Sequence, residues 1–189
     1  IQDQPGGVGS TDRDGFRVTY IPDEVGSLVR RAPPSATSEW AKPGQTAPAC
    51  NLSFASAISL PRSGDAELPT ELRAMARLMA YGELVDAIGH TATPAHRLLG
   101  YPTVVQESME DNCESVYIDL HGADSSARAD PNLGYTYAGS KDWILLLQLD
   151  TDEGGPGWCW GDTGTVYYWI RRQDLARADF SRCWQIMQC

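Results

Sequence analysis

The sequence is poor in positive charge and has no long apolar run. It carries 15 Lys and Arg residues against 25 Asp and Glu residues, which gives a formal net charge of −10. A chain with so few cations has little means of neutralising phosphates, so we expect neither nucleic acid nor an anionic membrane as its partner. The longest apolar run, at residues 143–147, has the length of a strand and is too short to span a membrane.

Cysteine pairs, signal features and cofactor motifs are also lacking. The five cysteines are odd in number and include no C-x-x-C pair, which disfavours a disulfide framework and a structural zinc site. A reducing cytoplasm is the simplest location for such a chain. Residues 1–7 have neither a charged segment nor an apolar segment, so we expect no signal peptide there. No nucleotide-binding or cofactor-binding motif occurs, and we predict no cofactor.

Length and composition predict one globular domain. A chain of 189 residues with 42% apolar residues can bury a sizeable core. Residues 1–14 consist mainly of Gly, Asp and Gln, and we predict that they form a flexible leader. The domain then covers residues 15–189.

Alternation of apolar and polar residues is the commonest pattern along the chain and indicates strands. We predict strands at residues 16–21, 51–60, 115–120, 143–149, 158–160, 165–170 and 182–188. Helical spacing occurs at residues 72–79, 83–88 and 173–178. Loops are predicted at the proline-rich residues 32–48 and at residues 122–139. The predicted fold class is α+β, strand-rich, with mainly antiparallel sheets and one or two helices.

An acidic segment after the apolar run resembles the opening of a calcium loop. Asp150 and Asp152 occupy the first and third positions of that loop, and Gly155 occupies the sixth. The fifth position is Gly154, and Gly161 stands at the twelfth, where a bidentate Glu is needed. We therefore predict no metal site and interpret the segment as a polar exit from a strand.

Few residues are available for acid–base catalysis, because the chain has only three histidines. His96, Asp150 and Asp162 are the candidate catalytic residues, with His96 as general base if the three side chains converge in a cleft. The alternative is that His96, in a tight connector beside Arg97, hydrogen-bonds to stabilise the turn. The sequence leaves both interpretations open.

Two tryptophans beside the acidic segment are candidate binding residues. Trp158 and Trp160 flank Cys159, and alternation places both rings on one face, close to Asp152 and Glu153 in the sequence. An exposed aromatic pair there could bind a ligand or a partner. The alternative is that both rings pack in the core, as aromatic side chains on strands usually do.

Four ordered motifs in the second half of the chain resemble the YwqG-like family. They are residues 96–102 (His-Arg-Leu-Leu-Gly-Tyr-Pro) with Gln106, residues 143–150 (Trp-Ile-Leu-Leu-Leu-Gln-Leu-Asp), residues 160–164 (Trp-Gly-Asp-Thr-Gly), and Asp179-Phe180 before Trp184 and Gln188. The resemblance is specific over residues 90–189 and loose over residues 14–60.

This resemblance implies an α+β, strand-rich fold, a bacterial origin and a cytoplasmic location, but no accepted activity. The positions that match the family motifs are His96, Gln106, Gln148, Asp150, Trp160, Asp162 and Gln188. Gln106 and Gln148 are candidate binding residues. The alternative is that the glutamines pair with each other or with strand edges, and that Asp162 accepts hydrogen bonds from the amides of its turn.

The resemblance also implies a missing portion. Members of the family usually begin with a half that contains a Gly-Gly-x-Pro loop and its own Gln-containing strand, and no such half precedes Phe16. We therefore expect an exposed sheet edge, covered by another chain (a companion chain or a second copy) or by the missing segment.

Two hypotheses for function follow from these patterns. The first is a non-catalytic binding module whose protein partner is basic, as small acidic immunity proteins recognise basic toxins. The second is an enzyme or small-molecule-binding protein with a polar site formed by His96, Asp150 and Asp162.

Overall fold

A four-stranded antiparallel sheet organises the second half of the chain, in the order β1-β2-β3-β4. The computed structural model describes residues 9–29, 48–62, 70–72, 74–89, 93–122 and 137–189. The strands are β1 (Arg97–Leu98), β2 (Trp143–Asp150), β3 (Thr165–Arg171) and β4 (Trp184–Gln188). The described residues contain three α-helices, α1 (Met75–Gly89), α2 (Glu110–His121) and α3 (Arg172–Ala176). The predicted α+β class is confirmed, with three α-helices instead of the one or two predicted.

The central strands β2 and β3 are those with the most continuous apolar sequence. They pair from Trp143 with Arg171 to Asp150 with Thr165, and a register irregularity lies between Leu145 and Leu147. Both strands have buried residues on both faces, as the apolar run predicts. The predictions at residues 143–149 and 165–170 are confirmed.

The core lies on both faces of the sheet. Helix α2 covers one face, where its buried residues join the large side chains of β2, β3 and β4. This cluster contains Met109, Cys113, Val116, Trp143, Leu145, Tyr167, Trp169, Trp184 and Ile186. A smaller cluster on the other face contains Leu146, Ile170 and Cys183, against which Leu175 of α3 packs.

The predicted strand at residues 115–120 is wrong, because these residues belong to α2. The buried positions Met109, Cys113 and Val116 are spaced by four and three residues, which is the period of a helix. Helix α2 ends at Gly122, whose positive φ of 61° and N–H bond to the Ile118 carbonyl form a left-handed cap.

The predicted strands at residues 16–21 and 51–60 are also wrong, since neither segment forms a strand. Leu52, Phe54 and Ile58 alternate as predicted but are 78%, 79% and 72% exposed. A period of two yields a strand only where a neighbouring strand pairs with it, and no described strand does so. The expected companion chain or second copy stays a prediction.

Several other boundaries differ from prediction. Residues 75–79 and 83–88 of the two predicted helices belong to one helix, α1, because Gly82 continues it, and Leu72 lies in a separate 3₁₀ turn. Residues 158–160 form isolated bridges instead of a strand, through the pairs Asp152–Trp158 and Trp160–Gly164. The helix predicted at residues 173–178 and the final strand are confirmed as α3 and β4, with shifted ends.

Some predictions fall outside the described residues. These are the proline-rich loop up to residue 47, most of the loop at residues 122–139, and residues 1–8 of the predicted leader. Residues 10–14 of that leader lie in a 3₁₀ helix, Ser10–Gly15, from which Arg13 donates to the Ser181 and Cys183 carbonyls. The division into leader and domain stays a prediction. None of the helices in the described ranges has the length and apolar character needed to cross a bilayer.

Candidate functional site

The pairing of β1 with β2 brings His96 to the end of β2. Arg97 lies opposite Gln148, so the preceding residue reaches the strand end at Asp150. The Asp150 N–H donates to His96 Nδ1 at 3.1 Å, and His96 Nε2 lies 3.3 Å from Asp152 Oδ2. Because Nδ1 accepts a hydrogen bond, the proton of the neutral ring is on Nε2, where it is donated to Asp152. Both ring nitrogens are therefore engaged.

The Asp150 side chain is also engaged, by three donors. Its Oδ2 accepts from the Ala95 N–H at 2.8 Å, and its Oδ1 accepts from the Thr151 N–H and the Thr165 hydroxyl, both at 2.9 Å. These bonds join Ala95, two residues before β1, to the end of β2 and the start of β3. The carboxylate thus holds three backbone segments together.

Asp152 is fixed by its own loop. Its Oδ1 accepts from the Gly155 N–H at 2.8 Å, an aspartate turn that the Asp-x-x-Gly spacing favours. This hydrogen bond lowers the pKa of the Asp152 carboxyl below its usual value, and the contact with His96 acts in the same direction. The residue is therefore charged at neutral pH.

The two tryptophans lie on the same side, as alternation predicts. Both indole N–H groups donate to the Asp150 carbonyl, at 2.9 Å from Trp158 and 3.2 Å from Trp160. Their ring centroids are 5.5 Å apart, and the Trp158 ring meets the His96 ring edge-on at 6.0 Å. Trp160 is buried, whereas Trp158 is half-buried and retains surface that a partner can contact.

The turn between the tryptophans and β3 presents an exposed carboxylate. Trp160 and Gly164 pair across it, and Gly161 and Thr163 adopt positive φ values of 54° and 57°. Asp162 lies at the exposed tip of the turn, and its carboxylate accepts no hydrogen bond from any described residue. The prediction that it bonds to the amides of the turn is therefore wrong.

Buried glutamine side chains bind backbone groups of the segments before and after β1. Gln148, only 1% exposed, accepts from the Thr103 N–H at 2.9 Å and donates to the Ala95 carbonyl at 2.6 Å. The bonds of Gln188 involve three consecutive residues. It accepts from Val105 N–H and Gln106 N–H at 3.2 and 3.0 Å and donates to the Glu107 carbonyl at 2.9 Å. We call Gln148 and Gln188 the glutamine clamps.

These two glutamines thus bond neither to each other nor to a strand edge, because all their partners are main-chain groups outside the strands. Gln106 differs, because it is exposed and donates to the Cys189 carbonyl at 2.6 Å. Both clamps lie on the sheet, and neither side-chain amide is left over for an outside ligand.

The segment between β2 and β3, residues 151–164, carries negative charge and contains no Lys or Arg to balance it. From residue 143 to residue 170 the sequence contains four carboxylates and no Lys or Arg. At the opposite ends of these strands, Lys141 lies two residues before β2 and Arg171 is the last residue of β3. Glu153 and Asp162 are exposed. We refer to residues 151–164 as the β2–β3 connection.

The three candidate catalytic side chains do not form one hydrogen-bonded group. His96 and Asp150 accept hydrogen bonds from backbone and side-chain donors, and Asp162 forms no hydrogen bond with either of them. Within the described ranges, no group of three or more His, Cys, Asp or Glu side chains is placed to hold a metal ion.

The whole chain, residues 1–189, matches a protein family described as "Domain of unknown function (DUF1963)". The chain belongs to this family. The match includes residues 14–60, where the motif resemblance is loose. No curated protein matches the sequence. Because the family description names no activity, a functional hypothesis for this DUF1963 protein has to come from its geometry.

Sequence reasoning missed the threonine that supports the β2–β3 connection. Thr151 donates through both its N–H and its hydroxyl to the Gly164 carbonyl, at 3.2 and 2.8 Å. Its hydroxyl also accepts from the Trp160 N–H at 3.1 Å. The available signal was the Asp-Thr pair at a strand end, a frequent source of local side-chain bonds to the backbone.

Proposed function

We propose that this protein is a non-catalytic binding module of the YwqG-like type, acting in the bacterial cytoplasm, that recognises a basic protein partner. The β2–β3 connection is the proposed contact surface. The glutamine clamps and Asp150 hold the surrounding backbone in place, so the surface is rigid before binding, which lowers the entropy cost of association.

The engagement of His96 carries this proposal. A general base needs an unprotonated nitrogen or oxygen within reach of a substrate proton. His96 Nδ1 accepts from the Asp150 amide, and Asp150 itself accepts three hydrogen bonds. Catalysis by these residues would require breaking bonds that join β1, β2 and β3. The geometry therefore supports binding over chemistry.

The surface has the composition of a recognition site for cations. Glu153 and Asp162 are exposed, and Asp152 carries a charge held by its own turn. Trp158 presents part of an aromatic ring beside them, and tryptophan is among the residues that contribute most to protein interfaces. Complementary charges accelerate association and favour partners of the right sign.

A charge-matched pair of variants tests the proposal. The double variant Glu153→Gln/Asp162→Asn removes two carboxylates from the β2–β3 connection. The control Asp23→Asn/Glu83→Gln removes two exposed carboxylates elsewhere. Each protein is immobilised and exposed to a lysate of the native host, and the captured proteins are identified at low salt and at about 0.5 M salt, where charges a few ångströms apart are screened.

The expected result is a basic protein that the wild type and the control capture, that salt releases and that the double variant does not bind. Equal capture by both variants would contradict the proposed surface. Capture that does not weaken with salt would contradict the electrostatic basis.

A further inference from the structure

A surface segment with the form of a strand follows the 3₁₀ helix at Ser10–Gly15. Phe16 has extended backbone angles (φ −148°, ψ 162°), and the side chains of Phe16 and Val18 pack against the two core clusters. Arg17 and Thr19 are exposed, which gives the alternation of an extended chain. The N–H and C=O groups of residues 17–21 form no hydrogen bond within the described part of the chain. The segment therefore presents an open main-chain edge.

A groove of about 940 Å³ runs along this segment. Its lining includes every residue from 13 to 20, together with Ala178, Phe180, Ser181 and Cys183. Because residues with outward and inward side chains both line it, the main chain of the segment itself borders the groove. Its volume lies at the upper end of the roughly 300–1,000 Å³ of small-molecule pockets, which suits several residues of a peptide better than a small metabolite.

Apolar side chains form part of the groove. The Phe16 ring meets the Trp184 ring edge-on at 5.2 Å, and the Tyr20 and Phe180 rings lie 5.1 Å apart between centroids. Tyr20 is 56% exposed, so its ring keeps surface that an occupant can contact. A strand added along the segment can therefore place every second side chain on this apolar surface.

The groove is positively charged although the protein as a whole is negative. The two stretches that border it, residues 13–20 and 177–183, contain four Arg and two Asp, whereas the whole chain has a net charge of −10. Arg17 is exposed and forms no ion pair or hydrogen bond with any other described residue. The Asp179 carboxylate accepts from the N–H and the hydroxyl of Ser181 and so belongs to its own turn. The charge therefore favours an acidic occupant over a basic one.

We propose that this groove binds an extended segment of a partner protein in which acidic and apolar residues alternate. The partner segment adds a strand to residues 17–21, and its main chain bonds to their open N–H and C=O groups. Its apolar side chains contact Tyr20 and Phe180, and its carboxylates lie on the outward side, beside Arg17. This inference does not depend on the proposed basic partner, because the groove and the β2–β3 connection share no residue.

Hydrogen exchange, followed by nuclear magnetic resonance of the ¹⁵N-labelled protein, tests the main-chain pairing. The probe is the peptide Glu-Val-Glu-Val-Glu-Val, acetylated and amidated at its ends. Along one edge of a strand only alternate N–H groups point to the partner. We therefore expect the peptide, at roughly nine-tenths occupancy, to slow exchange about ten-fold at alternate amides of residues 17–21 and to leave the amides between them unchanged.

Three control peptides separate main-chain pairing from charge. Two of them carry N-methyl groups, one on its valines and the other on its glutamates, so each lacks one alternate set of N–H donors while the charge is kept. Because only one set faces residues 17–21, we expect one of these peptides to bind within about two-fold of the parent and the other at least about ten-fold more weakly. A peptide with Lys in place of Glu is also expected to bind at least about ten-fold more weakly.

A matched pair of variants tests the role of charge in the protein. Arg17→Glu reverses an exposed charge in the groove, and Lys141→Glu reverses an exposed charge outside it. Both side chains lie on the surface, so both variants are expected to fold. We expect Arg17→Glu to weaken binding of the parent peptide about ten-fold and Lys141→Glu to weaken it by less than about two-fold.

Any one of four results would overturn the proposal. They are unchanged exchange of residues 17–21 at peptide concentrations up to about 5 mM, equal binding of the two N-methylated peptides, equal binding of the Lys peptide and the parent, and equal effects of the two charge reversals. Protection of the same amides in the free protein that rises with protein concentration would show that a second copy pairs with the segment, and this result would also contradict the proposal.

Discussion

At the scale of single residues, polar side chains supply hydrogen bonds to main-chain groups that no neighbouring strand pairs with. The segment after β1 is irregular, yet several of its N–H and C=O groups are covered and need partners. Gln148 and Gln188 supply both a donor and an acceptor to this segment. An amide side chain has the same donor and acceptor groups as a peptide unit, so each clamp supplies the hydrogen bonds that a neighbouring strand would otherwise supply.

Removal of one clamp is expected to destabilise the protein strongly. Gln148→Leu removes the partly buried bonds to the Thr103 N–H and the Ala95 carbonyl, at about 1–2 kcal/mol each. We expect the free energy of unfolding in urea to fall by roughly 2–4 kcal/mol. Gln106→Leu, at an exposed glutamine, is the control and should change it by less than about 1 kcal/mol. Equal losses in the two variants would show that Gln148 does not act as a clamp.

At the scale of elements, a buried ion pair fixes α2 to the sheet. Glu114 of α2 accepts from the Trp143 indole N–H at 2.9 Å and pairs with Arg171 at the end of β3. The Arg171 guanidinium lies 4.0 Å from the centroid of the Tyr117 ring. These contacts join one helix to two strands in a buried setting, where a lone charge is costly.

A double-mutant cycle is expected to expose this coupling. Arg171→Met leaves the buried Glu114 charge unpaired, and Glu114→Leu leaves Arg171 with only the more distant Asp142 carboxylate at 3.9 Å, so each should cost about 3–5 kcal/mol. The double variant replaces both charges with apolar groups and should cost far less than the sum. Chemical denaturation of the four proteins measures the coupling, and additive losses would mean that the pair contributes no mutual stabilisation.

The sequence predicted correctly those elements whose apolar pattern is compatible with only one type of secondary structure. Trp143 to Leu149 is apolar on both faces and could only be a central strand. The alternation of Val116, Ile118 and Leu120 was misleading, because the helix that contains them begins at Glu110 and also buries Met109 and Cys113. Local alternation cannot reveal pairing partners, and for this reason residues 51–60 were also assigned wrongly.

The sequence predicted that His96 and Asp150 come together, but it predicted neither their bonds nor the role of Thr151. The sequence placed His96 and Asp150 together as candidates, and the register of β1 on β2 does bring them into contact. Which atoms they bond is decided by residues far apart in sequence, such as Thr165. No local sequence pattern predicts that the Asp150 carboxylate accepts three hydrogen bonds.

At the scale of the whole molecule, the cysteines divide by location. Cys113 and Cys183 are buried in the core, whereas Cys50 and Cys189 are exposed and Cys159 is half-buried. Burial raises the pKa of the Cys183 thiol to about 12 and that of Cys113 well above its ordinary value. Since the thiolate is the reactive form, the core thiols are protected by location and by chemistry.

Thiol labelling of the folded protein is expected to follow this division. At pH 8 an aromatic disulfide reagent should modify two cysteines quickly and Cys159 more slowly, and it should reach the remaining two only after unfolding in denaturant. Cys50→Ser and Cys189→Ser should each remove one fast equivalent. Fast modification of four or five thiols in the folded protein would contradict the buried positions of Cys113 and Cys183.

The glutamine clamps affect how the sequence of the segment that they hold can change during evolution. They bond only to main-chain atoms of Ala95, Thr103, Val105, Gln106 and Glu107. Every amino acid has the carbonyl they use, and every one except proline has the N–H. The side chains of these five residues are thus free to differ while the clamp bonds are kept, whereas Val104, which lies between two of them, packs against the core. A descendant could acquire a new specificity here by point substitutions alone, without rebuilding the scaffold.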